Sequence, residues 1–102
     1  MHLSLSQKNS IKNDIITALR DNDEVDKIII FGSFNTADNP DDIDIALFED
    51  SNDNYLTLAM KYRKQLRHIS KILPIDIIPL KKGTLSFSFV DEINNGTVIY
   101  ER

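Results

Sequence analysis

Asp42 and Asp44 stand two residues apart in "DDIDIALF", a segment whose other members are mostly apolar. On a strand, side chains at that spacing point to the same face, roughly 6.5–7 Å apart. Ile43, Ile45 and Leu47 then point the other way, into a core. Two carboxylates so placed can share a divalent ion or hold one each. Mg²⁺ takes oxygen ligands, usually one or two protein carboxylates completed by phosphate oxygens. Two such ions about 3.5–4 Å apart clamp an in-line phosphoryl or nucleotidyl transfer. Asp76, in "PIDIIPL", is a third carboxylate between isoleucines. If its strand pairs beside the first, Asp76 joins the same open face. It could then share an ion and take the proton from an attacking hydroxyl. Gly32-Ser33 closes the preceding apolar run "KIIIF". Glycine permits a sharp turn and close approach to a ligand, and the serine hydroxyl can donate to phosphate oxygens. Free N–H groups at the start of a following helical turn would suit the same anion.

Each feature alone has a plain alternative. An Asp-x-Asp pair is usually two solvated positions on an exposed strand face, and a lone Gly-Ser says little. The ordered set is what points to chemistry. Other acidic patterns fail. "DSNDNYLTLAMK" resembles a calcium loop, but Tyr55 stands where the turn needs Gly and Lys61 where it needs a bidentate Glu. His2 and His68 have no neighbours at metal-ligand spacing. No cysteine is present, which excludes disulfides, thiolate nucleophiles and cysteine-bound zinc.

The elements that must carry these residues follow from periodicity. The spacing of Ile11, Ile15, Ala18 and Leu19 predicts a helix from Ser6, as N-cap, to about Asp21. "KIIIFGS" reads as a buried strand, and "FNTADNPD" as a turn with room for a helical turn near Ser33. "DIDIALF" reads as a second strand. Tyr55, Leu58, Ala59, Tyr62, Leu66, Ile69 and Leu73 form a helical stripe over about 54–72, which Pro74 should stop. "IDIIPL" reads as a third strand and "TVIYE" as a last short one. "KKGTLSFS" is ambiguous between loop and strand, and "FVDEINNG" could be a short helix. The expected fold class is α/β (α+β), a small mixed sheet with helices packed mainly on one face. With 102 residues and no linker or repeat, residues 1–102 should form a single domain.

Charge is unevenly laid out. The net charge is −4, and no Lys or Arg falls between Lys27 and Lys61. A basic stretch follows, in which Lys61, Lys64, His68 and Lys71 line one helical face. An acidic total argues against broad nucleic-acid coating, and this line is the weak case for an RNA partner. No apolar run approaches the roughly 20 residues that span a bilayer. The N-terminus lacks the layout of a secretory signal. A cytoplasmic protein without membrane attachment is expected.

"FGSF" followed by "DDIDIAL" resembles the signature of the nucleotidyltransferase superfamily typified by DNA polymerase beta. The short length and the ending "FVDEINNGTVIYER" resemble its minimal nucleotidyltransferase branch, often the antitoxin partner of a HEPN-domain ribonuclease toxin. The resemblance implies Gly32 and Ser33 at a nucleoside triphosphate such as ATP, and Asp42 and Asp44 on two Mg²⁺ ions. It makes Asp76 the third catalytic and metal carboxylate, and AMP transfer to a hydroxyl of a partner toxin the reaction. The branch usually reads GSxARG, whereas this chain reads "GSFNTADNPD", without the arginine and glycine. Lys61, Lys64 or Arg67 would have to help the metals offset the triphosphate. The alternative function is a binding module, an antitoxin that acts by occupying its partner with a weak or inactive site.

Overall fold

The computed structural model describes residues 2–83 and 96–102. The first helix, α1, spans Leu5–Leu19 and starts two residues earlier than the spacing predicts. Ser4, not Ser6, is the N-cap. Its hydroxyl accepts from Gln7 N at 3.1 Å while its own N–H donates to Gln7 Oε1 at 2.8 Å. This reciprocal box satisfies two end groups at once, which an N-cap at Ser6 would not do. Ile11, Ile15 and Leu19 are buried on the inner face.

Strand β1 spans Val25–Phe31, a short helical turn α2 spans Ser33–Thr36, and β2 spans Ile43–Glu49. The expected single helix over 54–72 is two: α3, Tyr55–Gln65, and α4, Arg67–Ser70. Asn54 caps α3 by accepting from Thr57 N at 2.9 Å. The break falls at Leu66, whose φ of −96° and ψ of 6° leave the helical region. The bend keeps Leu66, Ile69 and Leu73 buried. It also delivers the Pro74 carbonyl to Ile43 N at 2.8 Å, which seats the start of the next strand. Strand β3 spans Ile75–Lys81, and β4 spans Thr97–Glu101. "TLSFS" and most of "FVDEINNG" lie outside the described residues.

The sheet order is β3-β2-β1-β4. β1 runs antiparallel to β2 and β4, and β2 runs parallel to β3. A parallel neighbour needs a crossover, which α3 and α4 provide. Ile28 and Ile30 of β1, Ile43, Ile45 and Leu47 of β2, and Ile77 of β3 join the helices in one core. Alternation sends the intervening residues to the opposite face, where Ile29, Phe31 and Ala46 form a smaller apolar cluster. The result is a mixed α/β fold with the main core under the helices.

One end of the sheet is tied by ion pairs. The Glu24 carboxylate, just before β1, accepts from Lys61 Nζ at 2.5 Å and from the buried Tyr62 hydroxyl at 3.2 Å. Glu49, at the end of β2, is 1% exposed and pairs with Lys81 at 2.8 Å. Burial pushes the Glu24 carboxyl up, but hydrogen bonds from Lys61, the backbone and Tyr62, with the Lys61 charge, hold it below its usual value. A carboxyl lowered on folding stabilises the fold above its unfolded value, near 4.5. That stabilisation is lost as pH falls through the lower, folded value. Lys61 is 39% exposed, so the pair is partly screened. Glu24→Gln should therefore cost about 1 kcal/mol at neutral pH. It should also flatten the acid limb of a stability-versus-pH curve, read by urea unfolding from neutral pH to below pH 4.5.

Candidate active site

The other end of the sheet gathers the carboxylates. Phe31 pairs with Asp44 across the antiparallel ladder, and Asp44 pairs with Asp76 across the parallel one. With Ile43, Ile45 and Ile77 buried, Asp44 and Asp76 must face the side away from the helices. Asp42 lies one residue before β2 rather than on it. Released from the pleat, its carboxylate joins the other two. One oxygen from each of Asp42, Asp44 and Asp76 lies within 4.8 Å of the other two. Asp42 and Asp44 are partly exposed and Asp76 is exposed. This donor set is all oxygen, as hard divalent cations require. Among the described residues, no ion pair to Lys or Arg offsets Asp42 or Asp76.

Gly32 makes the cluster possible. It leaves β1 at φ +78°, a conformation that costs a residue with a Cβ. A Cβ built there would lie 2.5 Å from Asp44 Oδ2. The backbone therefore turns against the carboxylate at a place that only glycine fits. α2 begins at once, with Ser33 exposed at its start. Asn35 ties this turn back to β1 by donating from Nδ2 to the Ile30 carbonyl at 2.8 Å.

Of the cations that sequence spacing offers as helpers, Lys61 is engaged elsewhere. Lys61 pairs with Glu24 beside the start of β1, a full strand of roughly 20 Å from Gly32. This pairing also removes Lys61 from the basic line that would favour RNA. A basic residue that does reach the Ser33–Asp42 loop is Lys8. Its Nζ donates to the Ala37 carbonyl at 2.6 Å and sits 5.8 Å from the Phe34 ring centroid. Sequence reasoning passes over Lys8 because it lies 29 residues away from its partner. One signal was present: Lys8 falls three residues before Ile11, on the buried stripe of α1.

Gly32→Ala should destabilise the fold by about 1–2 kcal/mol through backbone strain, with a further cost from the Asp44 contact. In an Asp44→Ala background the second cost should vanish and the first remain. A double-mutant cycle by urea unfolding reads the difference.

The family model described as Polymerase beta, Nucleotidyltransferase matches residues 13–102. Among solved structures, the chain is similar to one in a complex of tri-AMPylated HEPN toxin from Shewanella oneidensis with MNT antitoxin. That likeness has 27% identity and a TM-score of 0.62, covering 93% of this chain and 73% of that one. A toxin–antitoxin MntA–HepT crystal structure gives 25% identity and a TM-score of 0.59, covering 92% and 73%. A toxin–antitoxin structure with AMP-PNP gives 26% identity and a TM-score of 0.62, covering 89% and 73%. No functionally curated protein matches the chain. With a family match that runs through β1, the Gly-Ser turn, the three aspartates and β4, the chain belongs to the polymerase beta nucleotidyltransferase family.

Proposed function

We propose that the chain is a divalent-metal-dependent nucleotidyltransferase that moves a nucleotide, AMP from ATP, onto a hydroxyl of a partner protein. The observation that carries this reading is the carboxylate cluster, held within 4.8 Å at one sheet end beside Gly32. Asp42 and Asp44 hold the metal, Mg²⁺ in the simplest case, with Asp76 as a shared third ligand. Ser33 donates its hydroxyl to a phosphate oxygen, and Gly32 lets the phosphates approach the backbone. Bound divalent ions supply the charge that offsets the triphosphate and the departing pyrophosphate. Asp76 takes the proton of the acceptor hydroxyl as its oxygen bonds to the α-phosphorus and the bond to pyrophosphate breaks. A HEPN-type toxin is the partner that the similar structures suggest, since each is a toxin–antitoxin complex. The AMPylated toxin in one of them suggests the acceptor class.

A second reading has one observation in its favour. The loop "GSFNTADNPD" lacks the arginine and glycine of the family pattern. Under it, the chain is an antitoxin that works by occupancy alone.

Thermal unfolding separates the two. A ligand at about ten times its Kd stabilises by about 1.4 kcal/mol, which raises Tm of a domain this size by roughly 6–11 °C. ATP with Mg²⁺ at millimolar levels should produce such a shift, and ATP with EDTA should not. Asp44→Asn should abolish the shift while leaving the unliganded protein folded. No shift with the wild-type chain would favour the occupancy reading.

A further inference from the structure

Lys8 stands where an apolar side chain belongs. It continues the buried stripe of α1, and only 9% of it is exposed. A lysine stem can usually carry its head to water. Here the head turns inward. Among the described residues, Nζ has one hydrogen bond, to the Ala37 carbonyl, and one aromatic face, that of Phe34. Among the described residues no carboxylate pairs with it. An ammonium has three donors, and burying one without a counter-charge is costly.

Its location gives that charge a use. Ala37 is the residue that ends α2, midway along the stretch from Ser33 to Asp42. A second tie lies beside it, from Leu3 N–H to the Asp38 carbonyl at 2.9 Å. Lys8 in the first turns of α1 and Leu3 just before its cap therefore both grip the loop whose ends carry the proposed phosphate and metal groups. The loop has no Lys or Arg of its own. A triphosphate arriving beside three carboxylates needs positive charge, and a fixed ammonium in a poorly solvated setting acts over longer range than one in water.

We propose that Lys8, anchored on the Ala37 carbonyl of the Ser33–Asp42 loop, supplies from α1 the positive charge that the loop lacks and so favours the bound nucleotide. The inference rests on the nucleotide-binding reading above.

Calorimetric titration of the full chain tests it, with MgATP in one series and Mn²⁺ alone in the other. Lys8→Met keeps most of the apolar stem while removing the donor and the charge. It should weaken MgATP binding roughly tenfold or more, the loss expected when one charge that acts on the triphosphate in partly screened surroundings is removed. Binding of Mn²⁺ alone should not weaken, because the carboxylates are untouched and the charge removed is one that repels the cation. Lys8→Arg, which keeps the charge and a donor, should recover most of the MgATP affinity. A merely structural role would weaken Mn²⁺ and MgATP alike, since Asp42 rides on the same loop, and that result overturns the proposal. So does a Lys8→Met protein that binds MgATP as tightly as wild type. Should Lys8→Met fail to fold, Lys8→Arg is compared with Lys8→Gln. A tenfold gap between those two supports the proposal on the same charge argument, and equal affinities contradict it. If the wild-type chain itself binds Mn²⁺ but no MgATP, the nucleotide reading fails, and this inference fails with it.

Discussion

The parallel pairing of β2 with β3 is the constraint on which the site depends. It sets Asp44 directly beside Asp76. The pairing is held from the other face, where Ile43, Ile45, Leu47 and Ile77 are buried under the helices. A slip of β3 by one residue would drive Asp76 into that core and expose Ile77. Apolar burial thus fixes the position of groups that repel one another. Gly32 completes the arrangement by letting β1 end against Asp44 without a side chain between them.

The two ends of the sheet handle carboxylates in opposite ways. At the Glu24 and Glu49 end, each acid has a lysine: Lys61 for Glu24 and Lys81 for Glu49. Lys81 adds bonds to the Ser51 and Asp53 carbonyls, so the end is latched as well as neutralised. At the Gly32 end, the described residues give Asp42 and Asp76 no such partner, although Lys8 is close enough to hold the adjoining loop. The first pattern serves stability. The second leaves negative charge to be met by something that binds, and a hard cation with a phosphate chain fits the oxygen donors present.

Much of this was legible in the residues themselves. The alternation in "DIDIALF" and "PIDIIPL" gives the facing of Asp44 and Asp76, because the period of a strand is two and the isoleucines have one place to go. The turn after Phe31 is legible in Gly32 and Ser33. What periodicity does not carry is pairing between distant segments. Nothing local to "IDIIPL" says that it lies parallel to β2, or that the order is β3-β2-β1-β4. The break at Leu66 has no proline or glycine to announce it, since it arises from the need to bring Pro74 to Ile43. Nor does Asp42 show, within its own segment, that it sits just outside the strand and so comes nearer to its neighbours than a pleat allows. The cap at Ser4 was readable from Gln7 three residues on. Lys8 was half-readable: its place on an apolar stripe marks it as unusual, but its partner is known only once α1 is folded against the loop.

We propose that Asp42, Asp44 and Asp76 together hold a divalent ion. Titration with Mn²⁺ followed by amide NMR tests it most directly, because the paramagnetic ion broadens signals close to it. Substoichiometric Mn²⁺ should first erase the amides of Gly32, Asp42, Asp44 and Asp76, and excess Mg²⁺ should restore them. Broadening centred on Asp50 and Asp53, or spread evenly over the acidic surface, would contradict it.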